Sequence, residues 1–176
     1  METIILSWMR GTGKSTIWKI LSEKLWFSFI DLDKYIEKKV LNLNDYINEN
    51  WWESFRDLEH KILKEVLNIK WKKVISLWWW TIIFERNFLE INKLKNKKIF
   101  FLETDLEKIA ERIKKDELNN NKRNSLTWKW ILEELEEVYS SREKIYKKNC
   151  DYIINNNWEI EETINYIFKI KWLWIN

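Results

Sequence analysis

Residues 3–16 read Thr3-Ile4-Ile5-Leu6-Ser7-Trp8-Met9-Arg10-Gly11-Thr12-Gly13-Lys14-Ser15-Thr16, and this stretch decides the fold. An apolar run breaks into a glycine-containing loop that ends in Lys-Ser and then opens a helical pattern. Such a loop turns its backbone N–H groups inward on an anion, and the following helix adds the positive end of its dipole. Lys14 brings a full positive charge, and Ser15 brings a hydroxyl suited to Mg²⁺. The pattern for a phosphate-cradling loop is G-x-x-x-x-G-K-[ST]. Trp8 stands in the place of its first glycine. The reading is nucleotide binding through Gly11, Thr12, Gly13, Lys14, Ser15 and Thr16.

Outward from this loop, five short β-type runs follow one another: Thr3–Ser7, Phe27–Asp31, Lys73–Leu77, Lys98–Glu103 and Asp151–Asn155. Each is apolar at nearly every position, as suits strands covered on both faces. Helical patterns lie between them, at Lys14–Leu25, Ser54–Ile69, Asp105–Lys115, Leu132–Lys147 and Glu159–Ile170. Phe55, Leu58, Ile62, Val66 and Ile69 form one stripe on the second of these. Strands alternating with helices predict an α/β fold, a doubly wound parallel five-stranded sheet flanked by helices. Residues 1–176 are expected to form a single domain. Asp116–Thr127 (DELNNNKRNSLT) is polar and weakly patterned, and reads as a loop or lid.

Composition narrows the function. The chain has 31 basic and 28 acidic residues, with both signs spread along it, so no nucleic-acid-binding stripe is expected. No apolar segment is long enough to span a bilayer. The single cysteine, Cys150, has no intramolecular partner and reads as a packing residue in a reducing, cytoplasmic setting. More unusual are 14 Trp, 2 Gly and no Pro in 176 residues. Average usage would give roughly a dozen glycines and about nine prolines. Both remaining glycines lie in the phosphate loop. Trp26, Trp71, Trp158 and the run Trp78-Trp79-Trp80 stand where a turn ordinarily wants positive φ or a close backbone approach, so Trp reads as a stand-in for Gly.

The other chemistry-bearing residues are fewer. Asp31 and Asp33 end the second strand run, on the side where open α/β sheets bind ligands. On an extended segment, alternate positions face the same way. One carboxylate could then hold Mg²⁺ through water while the other meets a substrate hydroxyl; equally, one could cap the next helix. Arginine is scarce, six against 25 lysines. Its planar fork suits carboxylate and phosphate, which marks Arg10, Arg56, Arg112, Arg123 and Arg142. His60 is on the polar side of its helix and is given no role.

Taken in order, these pieces resemble the shikimate kinase family over nearly the whole chain. The loop Trp8–Thr16 stands where the family has Gly first. Phe29-Ile30-Asp31-Leu32-Asp33 is similar to its D-x-D motif, and Phe55-Arg56-Asp57-Leu58-Glu59 to F-R-x-x-E. Trp78-Trp79-Trp80-Thr81 occupies the place of Gly-Gly-Gly. Lys122–Leu126 resembles the lid's R-P-L segment, with Asn124 for proline, and Arg142–Tyr146 matches R-x-x-x-Y.

The resemblance implies a P-loop kinase architecture of the nucleoside-monophosphate-kinase type, with substrate-binding helices about 32–70 and a lid about 114–127. It implies transfer of the γ-phosphoryl of ATP to the 3-hydroxyl of shikimate, with Mg²⁺. Lys14, Asp33 and Arg123 would be catalytic, and Ser15 and Asp31 would hold the metal. Arg112 would stack on adenine. Asp33, Arg56, Trp79 and Arg142 would contact shikimate, the two arginines through its carboxylate. ATP and shikimate are the expected partners, with neither nucleic acid nor membrane, and the protein is expected to be a monomer. A gluconate or nucleotide kinase and a non-catalytic nucleotide-binding domain are the alternatives. Tryptophan at the glycine positions is expected to weaken the turnover of this chain.

Overall fold

The computed structural model describes residues 2–9, 11–12, 14–40, 43–118 and 131–172. Arg10, Gly13 and Arg123 lie outside the described residues, as do the side chains of Lys14 and Ser15. Among the described residues there are five strands: β1 (Thr3–Trp8), β2 (Ser28–Asp31), β3 (Lys73–Ser76), β4 (Lys97–Glu103) and β5 (Tyr152–Asn155). All pair in parallel in the order β2-β3-β1-β4-β5. The helices are α1 (Lys14–Leu25), α2 (Leu32–Glu37), α3 (Leu43–Leu67), α4 (Glu85–Asn92), α5 (Leu106–Leu118), α6 (Ile131–Lys148) and α7 (Ile160–Trp172). A 3-10 turn covers Thr81–Ile83.

Alternation along the strands sorts two cores onto the two faces. Ile4, Leu6 and Trp8 pack with Ile17, Trp18 and Leu21 of α1 and with Ile164 and Ile167 of α7. Ile5, Ile75, Leu77 and Phe101 face the other way, against Phe55, Ile62 and Val66 of α3 and against α4, α5 and α6. The expectation that every strand is covered on both faces holds for the inner strands only. β1 and β3 are buried throughout, whereas β5 at the edge keeps Tyr152, Ile153 and Asn155 partly or fully exposed. An edge strand has a neighbour on one side alone, so its covering layer is incomplete.

Three helical expectations need correction. First, Asp31 and Asp33 do not share one extended segment. The chain turns helical at Leu32 because the Asp31 carboxylate accepts the backbone N–H groups of Asp33 (3.1 Å) and Lys34 (3.4 Å), capping α2. Second, α3 spans Leu43–Leu67 but its path breaks at Trp51 (φ 62°, ψ 162°), so an extra helical segment precedes the break and the helix read from Ser54 follows it. Third, α4 was not expected; its eight residues carry one short apolar stripe and start behind Phe84, which offers no side-chain cap.

The tryptophans divide in the same concrete way. Trp26 follows α1 with φ 56°. The Phe27 N–H reaches the Ser22 carbonyl (3.0 Å) and the Trp26 N–H reaches Glu23 (3.2 Å), a helix ending whose left-handed residue is ordinarily glycine. The left-handed conformation costs a residue bearing a Cβ about 1–2 kcal/mol. Trp51 is the other described non-glycine residue with positive φ. Trp71, Trp158 and Trp78–Trp80 keep negative φ, contrary to the expectation for turns. Before Trp158, the Asn155 side chain accepts the Asn157 N–H (2.9 Å) and makes the bend itself. At Trp78–Trp80 the chain enters the 3-10 turn, with Thr81 N–H on the Trp78 carbonyl.

Candidate active site

At the carboxyl end of the sheet, β1 runs into the phosphate loop. Trp8 is still strand, in register with Leu102, and its indole packs 4.9 Å from that of Trp18. Beyond it the loop folds back on itself, the Thr12 hydroxyl donating to the Met9 carbonyl at 3.0 Å. Gly11 has φ 84°, and a Cβ there would lie 2.9 Å from both Ile109 and Ile113 of α5. Only glycine satisfies the backbone angle and the close approach together. The Thr12 carbonyl is held from two sides, by the Arg112 guanidinium (3.1 Å) and by the Asn156 amide (2.9 Å). The same Asn156 nitrogen donates to the Thr104 hydroxyl at 3.0 Å. Lys14 opens α1, so the first turn of that helix follows the loop directly, and Thr16 in that turn is exposed.

Asn156 and Thr104 were not foreseen. Each is a short polar residue just past a strand's end, and the sequence signal for that role is indistinguishable from an ordinary turn. Arg112 is connected to the loop through the carbonyl of Thr12.

Asp31 lies at the carboxyl end of β2, paired across to Ser76 of β3, two strands from β1. At about 4.8 Å per strand, this puts it roughly 10 Å from the start of the loop. Its carboxylate caps α2 through Oδ1, while a carboxylate offers about four lone-pair sites in all. Asp33 sits in the first turn of α2, half-buried.

The third group is built on α3, α6 and the turn after β3. The Arg56 guanidinium pairs with Glu59 at 3.0 Å, both largely enclosed, with 12% and 0% of their side chains exposed. Glu59 also accepts the Thr81 hydroxyl at 2.5 Å, tying α3 to the turn. Asn87 holds the Thr81 carbonyl (3.0 Å), and His60 meets Asn87 at 2.7 Å, which gives that histidine a structural place. On α6, Tyr146 donates to the Trp79 carbonyl at 2.5 Å and stacks on Phe101. Burial holds the Tyr146 phenol well above its ordinary range.

Arg56 and Arg142 both lie on the same aromatic wall. The Arg142 guanidinium is 4.5 Å from the Trp79 ring and 5.4 Å from that of Trp80. Arg56 is 4.1 Å from Trp80. Trp79 and Trp80 stack at 4.7 Å, and Trp79 is only 5% exposed. Burial lowers the Arg56 pKa, and the positive charges of Arg142 and Arg86 push the same way, against the raising effect of Glu59. Arg142 Nη1 is buried with no hydrogen-bond partner. Two guanidinium groups therefore face one small region with Glu59 as the carboxylate paired to Arg56, an arrangement suited to receiving an anion. A shallow hollow of about 500 Å³ beside α3 and α4, lined by His60, Arg86 and Glu90, includes none of Arg56, Arg142, Trp79 and Trp80 in its lining.

The comparisons with known proteins agree with this geometry. The sequence profile of the family described as Shikimate kinase matches residues 10–171. The chain belongs to the shikimate kinase family. A Shikimate kinase 2 from Photorhabdus laumondii is 33% identical over 162 residues, covering 92% of this chain and 90% of that protein. A Shikimate kinase from Clostridium botulinum strain Alaska E43 is 32% identical over 171 residues, 95% of each chain. The crystal structure of a shikimate kinase from Bacteroides thetaiotaomicron superposes with a TM-score of 0.83 at 26% identity, covering 96% of this chain and 97% of that one. The five-stranded parallel sheet flanked by helices is the family's P-loop kinase fold. Shikimate kinase homologues on all sides leave the gluconate-kinase, nucleotide-kinase and non-catalytic alternatives without support. Among the described residues no helix is long and apolar enough to cross a membrane.

Proposed function

We propose that this chain catalyses transfer of the γ-phosphoryl group of ATP to the 3-hydroxyl of shikimate, as a cytoplasmic monomer. The observation that carries this reading is the pair Arg56 and Arg142, two enclosed guanidinium groups on one face beyond the sheet's carboxyl end, one with a buried unpartnered N–H. A substrate with a carboxylate and a nearby hydroxyl matches that demand; a neutral sugar does not. Residues 1–176 act as one kinase domain, with helices of about 32–70 shaping the acid site and a lid of about 114–127.

Phosphoryl transfer asks a protein mainly for positioning and charge neutralisation. The N–H groups of the loop and Lys14 would receive the nucleotide's phosphates, and Arg112 would meet its adenine. Asp33 would orient the attacking hydroxyl or take its proton. Arg123 would reach the transferring group from the lid, whose closure would keep water from competing. The oxygen donors Ser15 and Asp31 fit Mg²⁺, since Asp31 keeps lone pairs beyond those used in the cap. The ion would offset phosphate charge when bound. Trp79 would line the acid site. A coupled assay of ADP release tests the reading: shikimate-dependent ADP formation supports it, and ADP formation that ignores shikimate contradicts it.

A further inference from the structure

Four tryptophans stand in places suited to glycine, two for the backbone they need and two for the space they fill. The first ground is backbone. Trp26 occupies the left-handed position of the α1 ending, and its indole is 94% exposed. Trp51 has φ 62° and ψ 162°, a region that residues with a Cβ scarcely enter, and is 79% exposed. Tryptophan is normally retained for its large apolar contact, and these two indoles make little of it. The second ground is space. The indoles of Trp79 and Trp80 lie on the Arg142 and Arg56 guanidinium groups, on the faces and edges an incoming carboxylate would need. Glycine there would leave open backbone beside both arginines.

We infer that positions 26, 51, 79 and 80 are glycine positions of this fold, and that the enzyme as made by its cell carries glycine at them. One cause produces the whole pattern: a triplet read as tryptophan in one decoding and as glycine in another. It yields 14 Trp beside 2 Gly, and it leaves tryptophan at positive φ and over the acid site together. UGA, a stop in the standard code, is the triplet open to such reassignment, while UGG is the ordinary tryptophan codon. The occlusion half of the inference rests on the shikimate reading above; the backbone half does not.

Three measurements separate these points. In the gene, UGA at positions 26, 51, 79 and 80 is the expected result, and UGG at them overturns the inference. W26G/W51G should melt at a higher temperature than the chain as written; an unchanged or lower midpoint overturns the backbone half. In calorimetry, W79G/W80G should bind shikimate at least tenfold more tightly than the chain as written, with ATP binding unchanged. Equal shikimate affinity in the two overturns the occlusion half. If neither binds shikimate while both bind ATP, the shikimate reading has failed, and the codons and the melting of W26G/W51G still decide the glycine inference.

Discussion

The phosphate-loop corner and the acid corner of this molecule lie at the same end of one sheet, yet they treat glycine oppositely. At the loop, Gly11 is kept, with φ 84° and no room for a Cβ against Ile109 and Ile113. At the acid corner, Trp78–Trp80 fill the turn with three indoles at negative φ. The loop needs glycine for its backbone angle and for a helix pressed against it. The acid corner needs none for its backbone and tolerates tryptophan as a fold. On the reading proposed above, what it gives up is the space a substrate would use. Folding and ligand capture thus place separate demands on small residues, and a protein can meet one while failing the other.

The largest effect should come from breaking the loop's side of this contrast. Gly11→Ala combines a left-handed penalty with overpacking, together about 2–5 kcal/mol. Thermal unfolding and ATP calorimetry should both register it, as a lower midpoint and at least tenfold weaker ATP binding. Next is Asn156→Ala, which removes one of two donors to the Thr12 carbonyl and orphans Thr104, at about 1–3 kcal/mol. ATP affinity should fall while shikimate affinity holds, and a loss of both would show that the corners are not independent.

On the acid side, Arg142→Lys is best made in the W79G/W80G background. Lysine keeps the charge but not the fork, so KM for shikimate should rise about tenfold, or 1.4 kcal/mol, with kcat changing less. Asp31→Asn then separates capping from metal binding. Asparagine caps as well as aspartate, so unfolding should shift by less than about 0.5 kcal/mol. The Mg²⁺ concentration for half-maximal activity should rise about tenfold. Cys150 serves as a reference outside both corners. Burial pushes its thiol from 9.0 up to about 11. At pH 8 its thiolate fraction is therefore about 100-fold below that of an ordinary thiol, and alkylation should be slow until the pH approaches 11.

Much of the fold was legible because its signals are local and strong. The helix Lys14–Leu25 lies as read, and each strand falls within a residue or so of its expected bounds, because buried parallel strands are unbroken apolar runs. The helical segment before the break at Trp51 was not read, since residues 43–50 are rich in Asn and Asp and only Leu43, Tyr46 and Ile47 mark a face. At Leu32 the capping alternative was the one borne out. Period-two reasoning assumed the strand continued, whereas the Asp31 side chain stops it. In the site, charged residues such as Arg56 and Arg142 advertise themselves by rarity. Asn156, Thr104 and Glu59 act by holding other groups, and only three-dimensional neighbours reveal that task. Positive φ at Trp26 was read from its place between a helix and a strand, whereas at Trp51, inside a run without a following strand, it was not.

The grip of α5 on the phosphate loop has a mechanical meaning. Ile109 and Ile113 press on Gly11, and Arg112, between them in sequence, ties the Thr12 carbonyl. Loop and helix are fastened at three successive contacts along one edge, like a lever bolted to its fulcrum. These fastenings oppose any change of curvature in the loop that leaves the helix in place.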